Sequence, residues 1–513
     1  MSSETQSEAK EYTGEQVLKM AMHLHQKMAF DGAKQMYARV LDVWPDCSDA
    51  VHYSGILAHQ QEKDTDRAIA LVEKSLVMAP EHPDFHNNYG NLLKAKGRKA
   101  EAEAAYRRAL ELRPDFPDAR NNLGLMLQDQ KDHEGAIAAF RQIIQDDPNH
   151  VVALLNLGNI LGILDRWEEA EATYKKAIEI FPNSSEGYYR LARLYWRQDR
   201  NEEAIGLFHK SIATDPDRSD AYFSLGEAFG RRGQNEDAVQ AFAQSIKIDP
   251  TNWVSYHALG LALNLMGRVE NAVEVWKRWS EGEPGNPVPR HLLTAGLGKD
   301  VPARAQDDYI THSFDNFSDT FDQQLARLQY KAPTIVAEAL KKAREGNAGA
   351  LDILDAGCGT GLCAPLLRST ARTLIGVDLS PGMLEKARER GGYDELHSAE
   401  LTEFIMRFEQ RFDAIISADT LCYFGDLEAV MKAAMRALRP GGHLVFTVEE
   451  STGANAGSGF HLALTGRFTH SREYIARAIS DAGLERCSIT SETLRLEYLK
   501  PVQGLVIVAR RDA

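Results

Sequence analysis

Over the first 300 residues, apolar and small side chains recur at helical spacing in blocks, and the blocks themselves repeat. Prolines stand at 45, 80, 114, 148, 182, 216, 250 and 284, 35 residues apart once and 34 thereafter. A fixed period of this size marks tandem supersecondary units, each too small to bury its apolar face alone. Ahead of Pro114 come Gly90, Ala102, Tyr106 and Ala109; ahead of Pro148, Gly124, Ala136 and Phe140; ahead of Pro182, Gly158, Ala170, Tyr174 and Ala177. Gly226, Ala238 and Phe242, then Gly260 and Ala272, keep the register. Small residues let two helices approach, an aromatic ring fills the gap, and proline ends the second helix. The pattern predicts eight helix pairs from about Gly14 to Gly285, with Ala21 and Ile56 replacing the glycine in the first two. A closing helix from Pro287 to Gly298 covers the last apolar face.

Past this point the pattern changes. Gly and Pro crowd the stretch from Gly282 to Val301, which places a boundary near Asp300. Phe314, Phe317 and Phe321 form an aromatic stripe at i, i+3 and i+7, and Leu325 to Lys342 reads as a helix. Short apolar runs then alternate with helical stretches. The runs are Leu351 to Ala356, Thr373 to Val377, Leu396 to Leu401, Phe412 to Ser417, His443 to Glu449, Glu485 to Leu494 and Gly504 to Arg510. Helices are expected at Pro381 to Arg390 and His470 to Gly483, and Leu438-Arg-Pro-Gly-Gly442 as a turn into the fifth strand. Seven strands alternating with helices predict a doubly wound α/β sheet. The chain therefore reads as polar residues 1–13, expected to be disordered, a helical array 14–299, linker and lid helices 300–350, and an α/β domain 351–513.

Between the first strand and its helix stand Gly357, Gly359 and Gly361. Alternate glycines let the backbone turn sharply and let a ligand approach closely, next to a helix start that offers N–H donors. Asp378 ends the second strand about 20 residues on, where a carboxylate meets ribose hydroxyls. A dinucleotide fingerprint would need glycine at position 362, where Leu362 stands.

D-x-G-x-G-x-G in Asp355 to Gly361, followed by V-D-x-S in Val377 to Ser380 with Met383 beyond, resembles class I S-adenosylmethionine-dependent methyltransferases. That resemblance implies a Rossmann-like fold with S-adenosylmethionine as cofactor. It implies a cofactor site of Asp355, Gly357, Cys358, Gly359, Gly361, Asp378, Leu379, Met383 and Ser417, with Glu400 and Leu401 beside the adenine. The segment from Ser313 to Asp322 resembles the lid helix of many such enzymes and adds Phe317. Asp419, after the fourth strand, and His470, opening a helix after the loop from Ser451 to Thr469, are the candidate bases, with structural alternatives as a helix cap for Asp419 and a hydrogen-bonded loop residue for His470. Where N-P-P-Y would mark enzymes acting on amino groups of bases or glutamine, the chain has Ala418-Asp-Thr-Leu421.

The 34-residue units match tetratricopeptide repeats. Asn88, Asn122 and Asn156 share one position of three successive first helices, and Asn91 and Asn159 another. This ladder resembles the one lining the repeat groove of O-linked N-acetylglucosamine transferases and implies a groove for a protein or extended peptide, the alternative being solvated surface amides. The whole layout resembles a bacterial family of predicted methyltransferases bearing tetratricopeptide repeats.

Composition narrows the partners. A net charge of −15 over 513 residues argues against a general nucleic-acid binder or an anionic-membrane surface. The five cysteines form no C-x-x-C pair, which argues against zinc and a disulfide framework and suits a reducing cytoplasm. No 18-residue apolar stretch appears, so a cytoplasmic location is expected. The expected function is methyl transfer to a protein or small-molecule acceptor, with the array recruiting a substrate or partner. Two rivals stand beside it: a scaffold whose cofactor-binding domain is inactive, and a small-molecule enzyme whose repeats mediate assembly.

Overall fold

Gly90 shows why the repeats fold as they do. A Cβ built there would lie 2.5 Å from the Tyr106 ring, and the same relation holds for Gly124 with Phe140 at 2.7 Å and Gly158 with Tyr174 at 2.6 Å. The missing side chain of one helix is the space that the aromatic of the next one fills. Ala102, Tyr106 and Ala109 are accordingly fully buried.

The computed structural model describes residues 13–315, 317–318, 320–344, 350–451, 459–497 and 500–512. Of the residues 1–13 expected to be disordered, 1–12 lie outside the described residues, and Thr13 instead caps the first helix, its hydroxyl accepting from Gln16 N–H. Two compact units result, Met1–Pro216 and Asp217–Ala513. The first holds six helix pairs, from Gly14–Gln26 to Asn201–Thr214.

The second unit begins with two further pairs, Ser219–Arg231 with Asn235–Ile248 and Trp253–Leu265 with Val269–Gly282, then the closing helix Pro287–Leu297. Gly298, at φ +60°, ends that helix in the left-handed conformation. Contacts run across the boundary expected near Asp300: Ala295 of the closing helix shares a buried cluster with Leu462 and Phe468.

Among the described residues nine strands follow: β1 Leu351–Ala356, β2 Ala371–Asp378, β3 Glu395–Ser398, β4 Phe412–Ser417, β5 Leu438–Glu450, β6 Phe460–Leu462, β7 Phe468–His470, β8 Glu485–Glu497 and β9 Lys500–Arg510. The parallel order is β3-β2-β1-β4-β5, with β9 antiparallel to β5 and β8 to β9. Every residue of β1 is buried, as a central parallel strand requires. Its alternate residues feed opposite faces: Ile353 joins Val336, Leu340 and Leu367, while Leu354 joins Phe404, Met431 and Ile475.

Four local expectations are corrected. Hairpin β6–β7 adds two strands to the seven, β7 extending the end of β5 through Glu449 and Glu450. The helix expected from His470 starts at Arg472, capped by Ser471, because His470 is the last residue of β7. Leu438-Arg-Pro-Gly-Gly442 is a bulged start of β5 rather than a turn before it, since Phe412 pairs with Leu438 and Ala414 with His443. The helix expected from Leu325 to Lys342 breaks between Phe321–Arg327 and Ala332–Ala343, with Gln329 at φ +51°. The break is held by β8: Lys331 N–H donates to the Leu494 carbonyl at 2.9 Å, and Leu496 N–H to that of Leu328 at 2.7 Å. No helix among the described residues is long and apolar enough to cross a membrane.

Candidate functional site

The carboxyl ends of β1, β2 and β4 wall a cleft with about 1160 Å³ of empty space, part of it open to solvent. Small-molecule sites typically occupy about 300–1,000 Å³ and lie at this end of α/β sheets. Gly357, at φ +83°, donates its N–H to the Val377 carbonyl at 2.8 Å, and a Cβ there would lie 2.2 Å from the Thr420 hydroxyl. Gly359, at φ +53°, is different, because a Cβ there would meet nothing within 4 Å. Its N–H donates to Asp378 Oδ2 at 2.9 Å, while Oδ1 accepts from Ser380 N–H, also at 2.9 Å. Burial pushes the Asp378 carboxyl above its ordinary value, against these donors.

Cys358, Leu379, Met383, Glu400 and Leu401 continue the wall. Glu400 caps the helix Leu401–Met406, its Oε2 accepting from Glu403 N–H at 2.8 Å. Its buried Oε1 has no hydrogen bond among the described residues, with Arg304 Nε 3.7 Å away. Phe314 and Phe321 cover the cleft, Phe314 standing edge-on to Phe321 and to Tyr423. Phe317, expected to face it, is 46% exposed and does not line it, because the chain turns out of the helix after Asp315.

Four other expected residues lie off the wall. Asp355 is fully buried inside the sheet, its Oδ2 accepting the Tyr393 hydroxyl at 2.6 Å, and burial raises its pKa to about 7. Gly361 packs on Ala387 and Tyr393. Ser417 donates to the Ala356 carbonyl at 2.8 Å, fastening β4 to β1. His470 is fully buried with its Nε2–H donating to the Gly425 carbonyl at 3.1 Å, and burial lowers its pKa to about 4. A neutral imidazole buried outside the cleft, its Nδ1 without a hydrogen bond among the described residues, is no base for a reaction within it.

Asp419 does line the cleft, at φ +56°, a conformation rare for a residue with a side chain. Both its oxygens accept from Arg495 Nη1, at 3.1 and 3.3 Å. Arg495, 1% exposed, also holds Glu449 and Glu497, and Arg467 shares those two acids while its Nε donates to the Tyr423 hydroxyl at 3.3 Å. Tyr330, Arg467 and Arg495 are cleft residues that sequence reasoning missed, while Tyr423 lies in the stretch Ala418 to Phe424 expected where substrate enters. The one available signal was Arg495 between Leu494 and Leu496 in a strand, an inward charge that needs partners.

In the first unit, the asparagines are rungs between successive repeats. Asn156 Nδ2 donates to Asn121 Oδ1 at 2.8 Å, Asn122 Nδ2 to Asn87 Oδ1 at 2.9 Å, and Asn88 Nδ2 to His52 Nε2 at 3.0 Å. Asn91 accepts the Tyr106 hydroxyl at 2.9 Å, and Asn159 is half-buried. The ladder is neither bare groove nor merely solvated surface, since part of each rung amide is used within the stack.

A methyltransferase-domain family model matches residues 354–446, and tetratricopeptide repeat models match 29–84, 53–115, 88–151, 189–252 and 150–215. Methyltransferase-like protein 27 of Homo sapiens is 34% identical over 143 residues, 28% of this chain and 58% of that protein. A malonyl-(acyl-carrier protein) O-methyltransferase of Acetivibrio thermocellus is 35% identical over 99 residues, 19% of this chain and 35% of that one. The matches thus span 58% and 35% of these relatives' own length. Among solved structures, a tetratricopeptide repeat protein from Parabacteroides merdae superposes with a TM-score of 0.42 at 17% identity, covering 49% of this chain and 98% of that one. The chain is a methyltransferase-domain protein with an N-terminal array of tetratricopeptide repeats.

Proposed function

We propose that the cleft binds S-adenosylmethionine and that the domain transfers its methyl group to an acceptor recruited or delivered by the repeat array. The observation that carries this reading is the juxtaposition of Gly359 and the Asp378 carboxylate on one wall. The Asp378 carboxylate accepts backbone N–H groups from Gly359 and Ser380, with Leu379 as a third backbone donor, and still has acceptor capacity for a ribose hydroxyl, while the absent Cβ of Gly359 leaves room beside it. Leu379, Met383 and Leu401 offer apolar surface to a purine, and Oε1 of Glu400, which faces Arg304 at 3.7 Å but has no hydrogen bond among the described residues, offers an acceptor to its amino group. Those residues fit the cofactor. When bound, it supplies an activated methyl on a sulfonium.

What the chain contributes is alignment and exclusion of water. Phe314 and Phe321 cover the cleft, and Asp419, fixed by Arg495, is the proposed carboxylate on the acceptor side. An oxygen acceptor accords with the named O-methyltransferase among the relatives.

The test is transfer of labelled methyl from S-adenosylmethionine into cell lysate, separated into protein and small molecules, with Asp378→Ala as control. Label in protein that Asp378→Ala abolishes supports recruitment of a protein substrate. Label confined to small molecules would make the array an assembly module. Cofactor binding without any transfer would replace the enzyme reading by a scaffold.

A further inference from the structure

Hairpin β6–β7 lies between the closing helix of the repeats and the cleft. Its turn is tight, with Ala463 N–H donating to the Arg467 carbonyl at 2.8 Å and Gly466 N–H to that of Ala463 at 2.9 Å. One side packs on the repeats: Leu462 and Phe468 bury against Ala295, and Leu464 joins the core of the last pair with Trp276 and Leu292. At the turn, His291 Nε2–H donates to the Gly466 carbonyl at 2.9 Å, its ring stacked on Tyr309 at 3.9 Å. Burial holds His291 below its ordinary pKa, so the ring is neutral with its proton on the nitrogen that faces the carbonyl. Gly466 has φ +81°, and a Cβ there would lie 2.6 Å from the Tyr309 hydroxyl. No other residue fits between those two rings without moving them.

The next residue belongs to the cleft. Arg467 lines it and gives Nη1 to Glu497 at 2.9 Å and to Glu449 at 3.3 Å. Both carboxylates also hold Arg495, which in turn fixes Asp419. Arg495 and Glu449, at 1% and 9% exposure, cannot be left unpaired, so a shift of the part-exposed Arg467, which shares Glu449 and Glu497 with Arg495, obliges Arg495 and Asp419 to readjust.

We infer that His291, acting through Gly466, is a positioning residue for Arg467 and the Arg495–Asp419 pair, so that the closing helix of the repeats sets the acceptor side of the cleft. This rests on the methyltransferase reading for what that side does, and on geometry alone for the coupling.

Full-length chain carrying His291→Phe keeps a ring to stack on Tyr309 but loses the donor, and His291→Gln keeps a donor. Hydrogen exchange followed by mass spectrometry reads the turn, residues 463–469, and the segment 419–424. In His291→Phe both should exchange about threefold to tenfold faster, the range of one lost hydrogen bond, while His291→Gln stays near wild type. Calorimetric affinity for S-adenosylhomocysteine should not change. Arg467→Met should loosen residues 419–424, and adding His291→Phe to it should loosen them no further, as residues on one path do not add. Faster exchange confined to the turn, or multiplied effects in the double variant, overturns the inference. His291→Asn, too short to reach Gly466, serves the same comparison if the phenylalanine variant does not fold. In methyl transfer, His291→Phe should lower turnover at unchanged cofactor affinity. Absence of transfer by wild type would refute the proposed function and leave the exchange measurements to decide the coupling.

Discussion

The Asp322 carboxylate accepts the Thr360 hydroxyl at 2.6 Å and pairs with Arg390, so the segment preceding the sheet is tied directly to the glycine loop. Asp315 makes a second tie, accepting from the Ser380 hydroxyl and from Gly382 N–H. Phe314 and Phe321, the two rings over the cleft, each directly precede one of these acids. Asp322→Ala should therefore speed release of S-adenosylhomocysteine about tenfold, a charge-assisted hydrogen bond discounted for its partial exposure. Stopped-flow displacement measures this. An unchanged off-rate would mean that the segment is core packing and no lid.

Gly357 and Gly359 separate folding from binding. Alanine at 357 meets Thr420 at 2.2 Å on a backbone at φ +83°, whereas alanine at 359, at φ +53°, meets nothing. Gly357→Ala should cost stability and binding together, by more than about 2 kcal/mol for a buried clash with left-handed strain. Gly359→Ala should cost about 1 kcal/mol of stability, from its φ alone, but weaken cofactor binding severely because its methyl enters the ligand's space. Thermal melts and calorimetry on the two variants distinguish these effects.

What could be read from the chain was whatever depends on near neighbours in sequence. Each helix pair closes inside 34 residues, with Gly90 and Tyr106 meeting within one unit, so period and residue type sufficed. The glycine loop and Asp378 likewise lie in one strand–helix–strand step. Where distant partners decide, the reading stopped short. The three-residue strands β6 and β7 carry too little pattern to announce themselves and exist because Ala295 covers Leu462 and Phe468. Periodicity across Leu325 to Lys342 could not reveal that β8 captures Leu328 and Lys331, a break that puts Tyr330 on the cleft wall. His470 sits beside a loop in sequence, yet its ring is turned into the core against Tyr474. The same limit hid Arg467 and Arg495, whose acids come from β5 and β8.

Asp355 should impose a pH dependence on stability. Its carboxyl ordinarily titrates at 3.8, and burial in the sheet raises it to about 7 in the fold. Between those values the unfolded chain has released the proton and the folded chain has kept it, so stability falls as pH rises from about 4 to 7 and levels off above. At about 1.4 kcal/mol per unit, this costs the wild type on the order of 2–4 kcal/mol across the window. Asp355→Asn can still accept the Tyr393 hydroxyl and cannot ionise. Urea unfolding at pH 4, 6 and 8 should show the slope in wild type and a flatter one in the variant. Parallel slopes would mean that Asp355 is ionised in the folded chain.

The asparagine rungs can be parted from any groove function because the amides differ in what they already hold. Asn122→Ala strips a donor from Asn87, which is only 7% exposed, and Asn156→Ala does the same to Asn121. Each loss should cost about 1–2 kcal/mol, with faster hydrogen exchange in the helices Pro83–Ala95, Pro117–Asp129 and Val151–Ile163. Asn159→Ala removes a half-buried amide with no side-chain hydrogen bond among the described residues, and should change stability by less than about 0.5 kcal/mol. A peptide lying along these helices would be felt at Asn159 without any change in exchange. If the rung variants exchange like wild type, the amides are not holding the stack and their hydrogen bonds are available to a ligand. If Asn159→Ala alone weakens capture of a partner, the groove binds through positions that the stack leaves free.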